Sequence, residues 1–162
     1  MGGRTSCPGL RQAHAVGVWG NHDIGLCHRV EGRARARYPA AALDYLAALR
    51  PRPVVGGCHY SHVEPPVDPS DAQALRACAE GGPLDLAGRA RRRFAAVEQR
   101  LVFVSHYHRW LAATANGQVG WRGEGPLSQA GTGRYCVVTG AAFQGLCGVL
   151  DTGRCELTPL PC

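Results

Sequence analysis

Lysine is absent from this sequence: all 18 basic residues are arginine. A formal charge of +6 is of the sign that draws anionic partners, but an arginine-only set beside 22 Gly, 11 Pro and abundant Ala reads as coding bias. Net charge therefore assigns no partner. No run approaches the roughly 18 consecutive apolar residues of a membrane span, and the opening Met1 to Gly9 lacks the apolar stretch of a secretory signal peptide. The expectation is a cytoplasmic protein with no membrane partner. Cys-x-x-Cys is also missing. The eight cysteines are scattered from Cys7 to Cys162, at a share below the roughly 8–10% of small disulfide scaffolds, and read as mostly reduced core thiols. No internal repeat or low-complexity tract is present.

What remains is 162 residues, 45% hydrophobic and 19% charged, sized for one domain with its own core. Residues 1–12 hold Gly, Pro, Arg and Ser without periodicity and read as an irregular N-terminal segment, followed by a single domain over 13–162. Ala13 to Trp19 is short and apolar, the pattern of a buried strand, and runs into the turn Gly20-Asn21-His22-Asp23. Leu43, Leu46 and Leu49 recur at helical spacing between Pro39 and Pro51, predicting a helix over 39–49. Val54 to Cys58 predicts a strand that delivers His59 and His62 at its end. Ser70-Asp71-Ala72-Gln73 has capping-box spacing for a helix to about Ala79, stopped by Gly81-Gly82-Pro83.

The segment from Leu86 to about Arg100 places Ala90, Phe94, Val97 and Leu101 on one helical face and Arg89, Arg92, Arg93 and Arg100 mainly elsewhere. Leu101 to Val104 is a third apolar strand, and it ends in Ser105-His106-Tyr107-His108. Three further strands are expected over 135–139, 146–150 and 155–160, with a hairpin at Asp151-Thr152-Gly153-Arg154. Helices between strands, then successive strands, predict a layered α/β domain ending in a meander.

The histidines carry the functional signal. His22, His59, His62, His106 and His108 directly follow short apolar strands. In an open α/β sheet the C-terminal strand ends face one crevice, so imidazoles placed there converge although distant in sequence. Neutral imidazole suits Zn, Fe, Ni or Cu, and Asn21 and Asp23 add oxygen ligands or acceptors behind the ligands. His14 and His28 receive no role. Trp110 and Tyr107 flank the last histidine pair and are read as packed aromatics.

Gly20-Asn21-His22-Asp23 and Ser105-His106-Tyr107-His108, with a His-bearing strand end between them, resemble the calcineurin-like metallophosphoesterase superfamily. That family's motifs run Asp-x-His, Gly-Asp, Gly-Asn-His-Asp/Glu, a lone His, and Gly-His-x-His. This chain shows the last three in order, over about residues 13–112. The resemblance implies an α/β, metallophosphoesterase-like layered sandwich (α-β-β-α). It also implies a metal-dependent phosphoesterase, a phosphatase or phosphodiesterase, acting on a phosphate mono- or diester. Two metal ions roughly 3.5–4 Å apart then share the attacking hydroxide. The resemblance matches Asn21, His59, His106 and His108 to metal ligands, with His62 the alternative to His59. It matches His22 to the imidazole that meets the phosphoryl group or the leaving oxygen, with Asp23 orienting it. The metal is Mn, Fe or Zn, and nucleic acid enters only as a possible substrate. Oligomeric state is left open.

Two departures qualify these expectations. No acidic residue precedes Gly20, so neither Asp-x-His nor Gly-Asp lies upstream, and half of a dinuclear site is missing. The resemblance thus implies an N-terminally truncated fold, whether a truncated or mis-started product or a natural pseudoenzyme. Ser105 also stands where the motif has Gly. Two other functions follow as alternatives: a catalytically inactive, metal-binding remnant, and an arginine-rich nucleic-acid-binding module using Arg89, Arg91, Arg92 and Arg93.

Overall fold

The computed structural model describes residues 6–28, 30, 32–80 and 86–162. Along the chain run helices α1 (Ser6–Gln12), α2 (Ile24–Cys27), α3 (Gly32–Arg37) and α4 (Ala40–Ala47). Strands β1 (Val54–Val55) and β2 (Cys58–Ser61) follow, then helices α5 (Ala72–Glu80) and α6 (Leu86–Ala95). The remaining strands are β3 (Leu101–Val104), β4 (Leu111–Thr114), β5 (Gly117–Val119), β6 (Leu127–Ser128), β7 (Tyr135–Val138), β8 (Leu146–Asp151) and β9 (Glu156–Pro161). A six-stranded sheet has the order β1-β2-β3-β7-β4-β5, and a three-stranded sheet the order β6-β9-β8. Strands β2, β3 and β7 are mutually parallel; the other pairings are antiparallel. This is a mixed α/β fold of layered kind.

Strand alternation builds two cores, one on each face of the larger sheet. Leu101, Phe103 and Val137 point toward Leu127 and Leu157 of the smaller sheet. Val102, Val104, Cys136 and Val138 point the other way, toward Phe94 of α6, with Tyr107 and Leu111. Every residue of β3 is buried because the strand is covered on both sides. Each fully buried valine contributes about 1.5–3 kcal/mol, so this strand and its neighbours hold the sheet. Among the described residues seven cysteines are free thiols, but only Cys58 and Cys136 are buried; Cys27, Cys78, Cys147 and Cys155 are half-buried and Cys162 is exposed, so most are not the expected core residues. Among the described residues no helix is long and apolar enough to cross a membrane.

Several local expectations are corrected. Residues 6–12 form α1, which packs on α4, instead of an irregular segment; residues 1–5 lie outside the described residues. Residues 13–19 form no strand, only a single parallel bridge, Val18 to Arg50. An apolar run becomes a strand only where a partner lies alongside it.

The predicted strand over 54–58 turns back on itself. Gly56 and Gly57 both have positive φ, and Val54 and Val55 pair with His59 and Cys58 in a tight hairpin. Asp71, not Ser70, caps α5: its carboxylate accepts from the amides of Gln73 and Ala74 at 2.9 and 3.0 Å. The Gly81-Gly82-Pro83 stop lies outside the described residues. Helix α6 ends at Ala95, where the Arg134 guanidinium donates to the carbonyls of Phe94 and Gln99 at 2.7 and 2.9 Å. The C-terminal strands divide between two sheets and so form no single meander. The expected hairpin is present, its Asp151 carboxylate accepting from the amides of Gly153 and Arg154.

Candidate metal centre

Parallel register explains which side chains meet. Ser61 pairs with Val104, the last residue of β3, so His62 and Ser105 are the first residues beyond two adjacent strand ends. The Ser105 amide donates to the His62 carbonyl at 3.1 Å and continues the ladder one step into the loops. There His62 Nδ1 lies 3.0 Å from Ser105 Oγ. Its Nε2 lies 2.8 Å from Asn21 Oδ1 and 3.0 Å from His106 Nδ1. The two rings meet edge to face, with centroids 4.9 Å apart.

Asn21 reaches this point from the turn after Val18. Gly20 lets the ring come close: a Cβ would sit 3.2 Å from His62 Cε1, and the imidazole would have to yield by a few tenths of an ångström. The turn is closed by Asp23, whose carboxylate accepts from the Gly20 amide at 2.8 Å. No described hydrogen bond joins Asp23 to the His22 ring. One oxygen of the Asp23 carboxylate is thus engaged in closing the turn.

The five expected histidines separate. His62 and His106 are in contact. His22 and His108 are exposed but share their electrostatic neighbourhood: the charges of His106, His108 and His22, after burial, push His62 down to about 4. His106 is lowered by burial and by His108 and His22. His108 stacks edge-on against Phe143 at 4.9 Å. His59 stands apart, inside β2 and level with Val102, lowered by burial and then by Arg52. The hairpin at Gly56-Gly57 moves His59 back into the strand and leaves His62 at its end. Beyond His108 lies a cavity of about 630 Å³ lined by Arg109, Trp110 and Arg122, among others.

Among the described residues no group of three or more His, Cys, Asp or Glu side chains is arranged to hold a metal ion. Two imidazoles and one amide nevertheless fit a single ion. Donors about 2.1 Å from a metal and at right angles to one another lie about 3 Å apart, the spacing that His62 Nε2 keeps from both Asn21 Oδ1 and His106 Nδ1. In the tautomer whose Nδ1–H donates to Ser105, His62 Nε2 presents a lone pair to the Asn21 carbonyl oxygen and to His106 Nδ1; where His106 Nδ1 is the unprotonated nitrogen, three lone pairs meet and a cation completes the arrangement. His106 Nε2 is buried without a partner, so its ring is held by packing and by this contact.

Sequence reasoning missed what Ser105 does, since it treated the residue only as a departure from Gly. Aligning the ends of β2 and β3 is the signal that finds it. It also misread Arg93. That side chain is 0% exposed and pairs with Glu64, which removes it from any nucleic-acid surface, whereas Arg91 and Arg92 are exposed. The side chain of Arg89 lies outside the described residues.

No family model and no curated protein matches this sequence. Among solved structures, a metallophosphoesterase from Sphaerobacter thermophilus superposes with a TM-score of 0.74 at 22% identity, over 98% of this chain and 71% of that one. The fold is metallophosphoesterase-like.

Proposed function

We propose that the chain binds one divalent metal ion through Asn21, His62 and His106 and acts on a phosphate mono- or diester. The observation that carries this reading is the convergence of Asn21 Oδ1 and His106 Nδ1 on His62 Nε2, at 2.8 and 3.0 Å, at two adjacent strand ends and a turn. A bound Mn, Fe or Zn ion supplies Lewis-acid polarisation of a phosphoryl oxygen and a more acidic water. His62, neutral at ordinary pH, keeps its lone pair available, and Ser105 holds the ring orientation. The uncharged Asn21 amide can lie beside an anionic phosphate without repelling it. His22, exposed on the same turn, is the imidazole available to protonate a leaving oxygen. His108 borders the cavity, where Arg109 and Arg122 offer positive charge to an anionic substrate.

The donor set is entirely neutral, and Asp23 is engaged with Gly20. That observation favours a second reading, metal binding without turnover. Calorimetric titration with Mn²⁺ and Zn²⁺, beside hydrolysis of an aryl phosphate monoester and diester, separates the two. His62→Ala and His106→Ala are expected to weaken metal binding by more than about 100-fold, beyond the loss typical of an outer hydrogen-bond partner. His59→Ala leaves binding unchanged, and His22→Ala lowers turnover alone. Equal affinity in wild type and His106→Ala would falsify the ligand assignment. Binding without turnover selects the second reading.

A further inference from the structure

We infer that Arg93 is a positioning residue for the His62–His106 pair, acting through Glu64 and Tyr107. The inference rests on the proposed metal-binding reading. Arg93 projects from α6 and is 0% exposed; its Nη2 pairs with Glu64 Oε1, and Glu64 is 6% exposed. The Tyr107 hydroxyl donates to the same carboxylate oxygen at 3.4 Å. Glu64 lies two residues beyond His62, and Tyr107 lies between His106 and His108. One buried guanidinium therefore ties the loop after β2 to the loop after β3.

Two features argue that this network does more than stabilise. Arg93 Nε and Nη1 are buried without partners, so the pair is incompletely satisfied. A well-packed apolar side chain of similar volume is often as stabilising as such an ion pair, or more so. The loop it holds is also strained: His106 and His108 both have positive φ, near 50° and 52°. A left-handed backbone at a non-glycine residue costs of order 1–3 kcal/mol and persists only where the surroundings impose it. Tyr107, 9% exposed and packed in the core against α6, is the side chain of this loop that can impose it. The network keeps His106 Nδ1 and His62 Nε2 at a separation that a shared ion needs, and such sites tolerate only about 0.5 Å of error.

The experiment uses the full chain with Arg93→Met, Arg93→Lys, Tyr107→Phe and His62→Ala. Affinity for Co²⁺ alone and the Co²⁺ absorption spectrum are measured, together with imidazole ¹⁵N shifts of the metal-free protein. Arg93→Met and Tyr107→Phe are expected to weaken Co²⁺ binding about 10–100-fold and to alter the spectrum, with Arg93→Lys recovering part of the loss. They are also expected to move the His62 and His106 ¹⁵N shifts without metal. Unchanged affinity, spectrum and shifts in Tyr107→Phe would overturn the inference. That variant removes a single hydroxyl, so it remains decisive if Arg93→Met does not fold. If wild type, like His62→Ala, binds no Co²⁺, the metal reading fails, and the metal-free shifts alone decide the positioning role: movement supports it and no change rejects it.

Discussion

The turn carrying Asn21 and the loop carrying His106 deliver side chains to one cluster, yet they are held by different means. The Asn21 turn is held by one parallel bridge, Val18 to Arg50, by the buried Trp19 packed on His28, and by its own Asp23, whose carboxylate and amide both bond to Gly20. Around it Val16 is 63% exposed, and neither α2 nor α4 has a buried residue. The His106 loop extends from a strand buried on both faces and is tied to α6 by the Tyr107–Glu64–Arg93 network. The site thus joins a preformed histidine pair to a loosely supported amide. Metal binding should order the Asn21 side more than the histidine side, because a ligand stabilises most what is least stable alone.

The sharpest way to break this comparison is to place the same charge in both regions. Val137→Asp puts a carboxylate at a position 0% exposed between the sheets and is expected to cost more than about 4 kcal/mol, enough to prevent folding. Val16→Asp is expected to change stability by less than about 0.5 kcal/mol. Denaturant unfolding of both variants checks the contrast. Comparable losses would show that the N-terminal region is as firmly packed as the sheet.

A smaller effect follows from the depressed His62. Its ordinary value is 6.5, and burial with the neighbouring imidazoles lowers it to about 4 in the folded chain. As pH falls, the unfolded chain takes up the proton first. The His62 contribution to stability is therefore full above about 6.5, declines toward about 4 and levels off below, a loss of about 3 kcal/mol. Urea titrations of the metal-free protein across this range measure the slope, and His62→Gln should reduce it, leaving the part that His59 and His106, also lowered by burial, contribute with the same sign. A flat wild-type profile would mean that the histidine pair is not preformed.

The smallest effect expected is that of Ser105→Ala. It removes the hydroxyl 3.0 Å from His62 Nδ1 without disturbing the strand. Loss of such an outer partner is expected to weaken Mn²⁺ binding by about 10-fold, with little change in stability, as calorimetry and thermal unfolding can verify. An unchanged affinity would leave the ring orientation to packing alone.

Much of the scaffold was readable in advance because its signals are local. The apolar run of β3, the hairpin at Asp151–Arg154 and the helix after Pro39 each depend on residues a few positions apart. The short strands β4 and β5 escaped notice, since Leu111–Thr114 and Gly117–Val119 carry little periodicity and gain their order from pairing with each other and with β7. The site was half readable. Asn21 and His106 follow from motif spacing, but the choice between His59 and His62 turned on whether Gly56-Gly57 bends the chain, and Arg93 looked like any solvated arginine.

By itself the sequence determined a layered α/β domain with histidines at or just beyond strand ends and a polar turn carrying Asn21, because hydrophobic alternation and turn chemistry are short-range properties. Only the tertiary structure decided which histidine meets Asn21 and that Arg93 is buried beneath the histidine loops. Those outcomes depend on strand register and on partners 29 to 43 residues away along the chain. No local pattern encodes such distances, whereas the packing of β2 against β3 and of α6 against the sheet sets them.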